Sequence, residues 1–503
     1  MKVLNVEQIR QLDAHTIEHE PIASIDLMER ASMAFIHWFT THFQPEKRPV
    51  RIICGTGNNG GDGLAIARLL QQRFYSVEVT VCLISPNPTP DFQTNLERLR
   101  AMGSVPIHNY SKGEPFPNFP ENAILIDGIF GSGLNRPVEG LWGGLIEHLS
   151  QHPGIRIAID VPSGLFADRS STGAIFKADY TLSFELPKLA FFIPENHPYV
   201  GKWIVRSIGL DEGFISNAPA PYRYTECQWV RTLLKKRVRF DHKGTYGHAL
   251  LIMGSYGKVG AAILAARACL RTGCGLVSVH APKCAYPILQ IAFPEAMVSA
   301  DQHEFIFTQH GNLSLYKAIG IGCGIGVNDL TAQGFRQLLR HSPVPLLIDA
   351  DGLNILAEHR EYWADVPPNT ILTPHPREFD RLFGPCENGF ERLTLAREQA
   401  LEKKVYIVLK GAYSAVVCPD GICHFNSTGN PGMGTGGSGD VLSGMITSLL
   451  AQGYAPKEAS VLGVYLHGLA GDLAAAEWQQ EALLASDIVR YIGKAFKRVK
   501  KSK

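Results

Sequence analysis

Three segments place oxygen-bearing side chains directly after short apolar runs. They are Gly55-Thr-Gly57-Asn58-Asn59-Gly60-Gly61-Asp62-Gly63 after VRIIC, Asp127-Gly128-Ile129-Phe130-Gly131-Ser132-Gly133-Leu134-Asn135-Arg136-Pro137 after AILI, and Asp160-Val161-Pro162-Ser163-Gly164 after IAI. Glycines between a strand and a helix let backbone N–H groups approach phosphates at the helix N-terminus. The first segment satisfies G-x-G-x-x-G through Gly55, Gly57 and Gly60. Its following strand-like run, VEVTVCLI, leads into Ser85-Pro86-Asn87 rather than the acid that reads a ribose, which argues against ordinary hydride transfer. The paired asparagines and the acids instead supply oxygen ligands for a hard cation, or hydrogen bonds to a polar ligand. A lone acid at a strand end is often a helix cap; three at equivalent positions point to a site.

A fourth cluster lies far downstream: Asn430-Pro-Gly432-Met-Gly434-Thr435-Gly436-Gly437-Ser438-Gly439-Asp440, followed by helical VLSGMITSLLAQG. Clustered N–H groups at a helix entry can stabilise a transferring phosphoryl group while Asp440 takes a proton from an attacking hydroxyl. No G-x(4)-G-K-[S/T] segment occurs, which excludes a Walker-type ATPase. Smaller motifs accompany it: the glycine turn Gly320–Gly326, the acids Asp349 and Asp351 after Leu347-Ile348, Thr373-Pro-His375, and Lys410-Gly411 after VYIVL. Taken singly, His375 reads as a turn histidine and Lys410 as a solvated lysine.

Strands alternating with helices must position these residues. The spacing predicts helix within Val6–Phe43, strands at 50–54, 77–84, 123–126, 155–159 and 180–184, and helices at 64–74 and 94–102. The pattern pauses at DEGFISNAPAPY and restarts with strands at 249–253, 276–280, 318–321, 346–348, 405–409 and 414–417 and helices at 261–272 and 441–450. Parallel sheets with βαβ crossovers are expected, in two α/β domains. The 49 glycines in 503 residues exceed the usual ~7% share, and they sit at these turns. With 48 Lys+Arg against 47 Asp+Glu the chain has no basic surplus for a nucleic-acid partner. The ten cysteines show no C-x-x-C pair and read as reduced thiols. The first residues lack an apolar signal region, and no uncharged apolar run of about 18 residues occurs, so no membrane contact and a cytoplasmic location are expected. The last ten residues, KAFKRVKKSK, read as a frayed, solvated tail.

NNGGDGL, DGIFGSGL and IDVPSG, in this order, resemble the N-terminal domain of the NAD(P)H-hydrate repair enzymes, and TGGSGD with its companion motifs resembles their C-terminal dehydratase domain. The resemblance implies an α/β protein with a Rossmann-like three-layer N-terminal domain (1–218) and a ribokinase-like C-terminal domain (219–503). The first would epimerise R and S hydrated nicotinamide cofactors. Asn59, Asp127 and Ser163 would hold K+; Asn58, Asn59, Gly60, Gly61 and Asp62 with Gly131, Ser132, Gly133, Leu134, Asn135, Arg136 and Pro137 would embrace phosphates and ribose; Asp160 would be the acid/base. In the second, Ala261, Gly324, His375 and Asp440 would contact the hydrated dinucleotide, with Asp440 catalytic. Lys410, Gly411, Ala412, Tyr413, Ser414 and Gly439 would bind ADP, with Mg2+ on its phosphates. NADHX, NADPHX and ADP are the implied partners, with a homo-oligomer expected. Two other readings stand beside this one. A small-molecule kinase would show the same TGGSGD segment, and the first half could be a catalytically dead binding module.

Overall fold

The computed structural model describes residues 1–501, and these divide into two compact units. One comprises residues 2–220 together with 388–390; the other holds the remainder from 221 onward and residue 1.

In the N-terminal unit the strands are β1 (Val50–Cys54), β2 (Val77–Cys82), β3 (Ile107–Tyr110), β4 (Ile124–Gly128), β5 (Ile155–Ile159), β6 (Tyr180–Phe184) and β7 (Lys202–Arg206). They form one sheet in the order β3-β2-β1-β4-β5-β6-β7, and every pairing is parallel. Ile52 and Cys54 pack with helices Ser24–His42, Asn58–Gln71 and Pro90–Met102, whereas Ile53 packs with helix Gly140–Ser150. A sheet buried on both faces explains why its strands read as continuous apolar runs rather than alternating ones. β1 and β4 are neighbours whose chains depart in opposite directions, so a crevice opens beyond their C-terminal ends.

The C-terminal unit contains β8 (Tyr222–Tyr224), β9 (His248–Ile252), β10 (Leu276–Ala281), β11 (Met297–Ala300), β12 (Ala318–Ile321), β13 (Leu346–Ile348), β14 (Ile371–Leu372), β15 (Tyr406–Leu409), β16 (Ala415–Val417) and β17 (Cys423–Phe425). Their order is β8-β17-β16-β15-β14-β13-β12-β9-β10-β11. The run from β15 to β11 is parallel, while β16 pairs antiparallel with both its neighbours. Helices Val259–Thr272, Ser438–Ala451, Pro456–Trp478 and Ala485–Lys501 share one core with β9, β10 and β13. Pro456–Trp478 is long and apolar enough to cross a membrane by length and composition, yet most of that stretch is buried inside the unit.

Several expectations need correction. The opening helical stretch is two helices, Val6–His19 and Ser24–His42, broken around Pro21. The pause before residue 222 contains a short helix, Glu212–Asn217, whose N-cap Asp211 accepts from the Phe214 N–H. The basic tail is no frayed end: Ala485–Lys501 is helical and buries Ile488, Ile492, Ala495 and Val499 along one face, the spacing of an amphipathic helix. Ser502 and Lys503, which close that run, lie outside the described residues. All ten cysteines are unpaired.

Some glycines serve packing rather than a ligand. A Cβ on Gly444 would stand 2.1 Å from the Ala265 carbonyl oxygen, so this glycine lets helix Ser438–Ala451 lie against helix Val259–Thr272. A Cβ on Gly436, by contrast, would meet nothing within 4 Å. Gly444→Ala is expected to destabilise the protein by about 1–3 kcal/mol in urea denaturation, and Gly436→Ala by much less; equal effects would contradict this division of roles.

Candidate functional site

In the N-terminal unit the predicted residues meet at the C-terminal ends of β1, β4, β5 and β6. Asp127, at the end of β4, is fully buried. Its Oδ1 accepts from the Ser163 hydroxyl at 2.6 Å and the Ile129 N–H at 3.1 Å, and its Oδ2 from the Ser163 N–H at 2.8 Å. Asn59 Nδ2 donates to the Phe130 carbonyl at 2.9 Å, and Ser163 Oγ accepts from the Phe130 N–H at 2.8 Å. Asn59, Asp127 and Ser163 thus gather around the backbone of Phe130, leaving an oxygen-rich cluster. Burial pushes the Asp127 carboxyl up to about 6, tempered by the Ser163 hydrogen bonds. Among the described residues no cationic side chain pairs with it.

Asp160 follows β5 with φ +59°, a left-handed backbone that a non-glycine residue adopts at a cost of about 1–3 kcal/mol. Its Oδ1 accepts from Ser183 Oγ at 3.1 Å and the Phe184 N–H at 3.2 Å, and lies 2.8 Å from Lys188 Nζ. Lys188 is almost wholly buried and also donates to Ser183 Oγ and to the Leu186 carbonyl. Every one of these contacts falls on Oδ1, and among the described residues Oδ2 accepts no hydrogen bond. Lys188 escaped the sequence reading; its signal is a lone charge inside the apolar run LPKLAFFI.

The two predicted loops border this point. Asn58–Asp62 opens helix Asn58–Gln71, where Gly60 is required by packing, since its Cβ would lie 1.8 Å from the Gly55 carbonyl oxygen. Asn58 is exposed, and the Asp62 carboxyl is pushed well above the ordinary range by burial and by the charges of Asp160 and Asp13. The loop Gly131–Pro137 runs past Asn59, whose side chain a Cβ on Gly131 would approach at 3.2 Å. It is tied down by Arg10 Nη2 on the Gly133 carbonyl at 3.2 Å and Arg169 Nη2 on the Asn135 carbonyl at 2.8 Å. Asn135, Arg136 and Pro137 are exposed at its rim, with Ser132 and Leu134 half-buried.

In the C-terminal unit a second group forms at the ends of β12, β13 and β15 and the start of helix Ser438–Ala451. Asp349, buried after β13, is fully engaged. Its Oδ1 accepts from Lys410 Nζ at 3.0 Å and the Ala350 N–H at 2.9 Å, and its Oδ2 from Ser443 Oγ at 2.6 Å. Burial raises the Asp349 carboxyl, but Lys410 and the Ser443 hydroxyl more than offset it and hold it below its ordinary value. Burial likewise opposes the Lys410 charge, and Asp349 and Glu378 (3.7 Å) prevail to hold it above its ordinary value. Lys410 is therefore no solvated lysine.

Asp440 lies in the first turn of its helix, behind Gly437 at φ +90° and beside Gly439, whose Cβ would stand 3.6 Å from Lys410 Nζ. Burial pushes its carboxyl up to about 6; the Cys323 thiol lowers it, and Asp349 raises it further. Ser438, one residue before Gly439, is buried with Oγ 3.4 Å from Nε2 of His467, a buried histidine that the sequence did not single out.

Ala261 and Gly324 are neighbours: Cβ atoms of Ala261 and Lys258 stand 3.5 and 3.1 Å from the Cβ position of Gly324. Asp351 Oδ2 accepts from the Gly326 N–H at 2.8 Å and pairs with Lys258 Nζ at 3.4 Å, fixing this glycine turn. His375 is the N-cap of helix Pro376–Phe383; its Nδ1 accepts from the Arg377 and Glu378 N–H groups, and Glu378 returns the bond to the His375 N–H. Only its Nε2 side remains for a ligand, shared with Glu378 Oε1 at 3.4 Å. Gly411, Ala412, Tyr413 and Ser414 form the turn from β15 to β16, closed by the Gly411 N–H on Ser414 Oγ at 3.2 Å, with Gly411 and Ala412 exposed.

The family described as YjeF-related protein N-terminus matches residues 24–190, and that described as NAD(P)H-hydrate dehydratase matches residues 249–494. The bifunctional NAD(P)H-hydrate repair enzyme of Moorella thermoacetica is 35% identical, with 98% of this chain and 96% of that protein covered. Its counterpart from Coxiella burnetii is 34% identical over 96% of this chain and 97% of its own. Among solved structures, the ADP/ATP-dependent NAD(P)H-hydrate dehydratase of Bacillus subtilis, co-crystallised with ATP/Mg2+, is 32% identical and covers 55% of this chain and 98% of its own at a TM-score of 0.49. With relatives of this identity aligned along nearly its whole length, the chain belongs to the bifunctional NAD(P)H-hydrate repair enzymes.

Proposed function

We propose that the N-terminal unit interconverts the R and S hydrates of NADH and NADPH, and that the C-terminal unit dehydrates the S form with ADP, returning NADH or NADPH. One observation carries this reading: full-length similarity to bifunctional repair enzymes coincides with one half-buried, partly free acid in each unit, Asp160 and Asp440.

In the C-terminal unit Asp440 accepts the proton of the substrate's ring hydroxyl as that oxygen attacks the terminal phosphoryl group of ADP. The free N–H groups at the start of helix Ser438–Ala451 face the charge that develops on that group. Phosphate is then a good leaving group where hydroxide was a poor one; the C–O bond breaks, and loss of a ring proton restores the reduced nicotinamide. Lys410 is anchored on Asp349 and placed beside Gly439, where it favours the nucleotide's anionic end. Magnesium, when bound, neutralises charge on those phosphates.

In the N-terminal unit Asn59, Asp127 and Ser163 would hold potassium. The fit is chemical: the cluster is oxygen-rich, and it surrounds a buried carboxylate that no cationic side chain among the described residues offsets. The ion would supply positive charge beside the loops Asn58–Asp62 and Gly131–Pro137, whose one cationic residue, Arg136, is exposed at the rim.

Separated activities are expected. Asp440→Asn should lose NADH recovery from the S hydrate with ADP and Mg2+, followed by absorbance, while still interconverting the epimers. Asp160→Asn should do the converse. Phosphorylation of a test alcohol with neither hydrate consumed would instead establish a small-molecule kinase. Because Asp440 must be unprotonated to act as base, NADH recovery should fall as the pH drops through about 6. For the ion, K+ replacing tetramethylammonium should raise the melting temperature at pH 8. The effect should vanish as the pH falls below about 6, where Asp127 is protonated, and also in Asp127→Asn. A melting temperature indifferent to K+ at pH 8 would remove potassium from the proposal.

A further inference from the structure

Inverting the configuration of the hydroxyl-bearing carbon poses a geometric demand that a single carboxylate meets poorly. A proton must reach the departing hydroxyl on one face, and another must leave the entering water on the opposite face. Asp160 offers one oxygen, Oδ2, that accepts no hydrogen bond among the described residues. The loop segments Asn58–Asp62 and Gly131–Pro137 carry one further acid, Asp62, near the start of helix Asn58–Gln71.

The helix Val6–His19 lies outside the matched family segment 24–190, yet it is built into this site. A capping box between Asn5 and Gln8 starts it, and the Val6 N–H donates to Asp168 Oδ2 at 2.9 Å. Arg10 reaches from it to the Gly133 carbonyl in the phosphate-side loop. Asp13 follows Arg10 by three residues, so both project from the same helix face. Among the described residues the Asp13 carboxyl accepts no hydrogen bond. Its electrostatic neighbours are Asp160 and Lys188, and Asp62 feels its charge in turn. A half-buried carboxyl without a hydrogen-bond partner, on the helix face whose Arg10 meets the Gly133 loop, is a group awaiting a ligand.

We propose that Asp13 is the second proton-handling carboxyl of the epimerase site, opposite Asp160 across the hydroxyl-bearing ring carbon, and that helix Val6–His19 is a wall of that site. The inference rests on the epimerase reading given above. In one direction a protonated carboxyl gives its proton to the ring hydroxyl as the C–O bond breaks and its electron pair goes to oxygen, releasing water. The ring nitrogen's lone pair stabilises the carbon left behind. Water adds to the other face, and its proton passes to the opposing carboxylate. The reverse conversion uses the two acids in exchanged roles, and the net change is one proton moved between them. Burial, with the Asp160 charge, pushes the Asp13 carboxyl up to about 6, so that both of its forms are populated near neutral pH.

The test uses the full-length protein and pure R hydrate of NADH without ADP, with S hydrate formation followed by chromatography. Asp13→Asn is expected to lower kcat at least tenfold with KM changed less than threefold, and to erase one limb of the pH–rate profile. Asp13→Glu should restore part of kcat and shift that limb. A smaller loss of kcat in folded Asp13→Asn, or both limbs retained, would overturn the proposal. Should Asp13→Asn not fold, an unmoved pH profile in Asp13→Glu overturns it equally. Failure of the wild-type protein to interconvert the hydrates would instead sink the epimerase reading itself.

Discussion

A carboxylate buried at the C-terminal end of a parallel strand has to be compensated, and the way each one is compensated sets what it can do. Removing a charge from water costs several kcal/mol unless a partner repays it. Asp349 is repaid in full, by Lys410 and two further donors on its two oxygens, and therefore serves as an anchor. Asp160 is repaid on one oxygen alone, through Lys188, Ser183 and the Phe184 N–H, and among the described residues its other oxygen accepts no hydrogen bond. Among the described residues Asp127 has hydrogen bonds but no cationic partner, and Asp440 pairs with neither lysine nor arginine; burial lifts both to about 6.

The same logic orders the surrounding backbone. Lys188 and Lys410 each follow a strand of their sheet, so the pair is set by strand order: β5 beside β6 in one unit, β13 and β15 flanking β14 in the other. Breaking such a buried pair by removing one partner costs about 3–5 kcal/mol, because the remaining charge is stranded. The glycines around these acids divide into two kinds. Gly55, Gly60 and Gly444 let backbones approach closely, whereas Gly57 and Gly436 border open space. Only the second kind leaves room for a ligand's phosphates.

Much of the architecture was legible because buried parallel strands and amphipathic helices carry strong periodic signals. β1, β5, β6, β12 and β13 have the bounds that their apolar runs predict. The short strands β3, β7, β8, β11 and β17 were missed: IHNY, KWIVR and YRY are mixed in polarity, and three to five residues give periodicity too little length to register. The terminal helix was misread for a related reason, since its six basic residues obscured the apolar stripe from Ile488 to Val499. Among site residues, the acids after strands and the glycine clusters stood out locally. Asp13, Lys188, Ser443 and His467 did not, as each is an ordinary residue within a helix or an apolar run.

The sequence by itself determined the two α/β halves, the strand ends that carry chemistry, and the family whose motifs those ends resemble. Those features are local: a few consecutive residues hold both the strand and the turn that follows it. Only the tertiary structure decided which acids are paired and which are free, because pairing is settled by strand order and by residues such as Lys188 for Asp160 and Lys410 for Asp349, 28 and 61 positions away along the chain. It also decided that His375 caps a helix and that helix Val6–His19 borders the epimerase crevice. Burial converts these long-range placements into charge states, and charge states into reactivity.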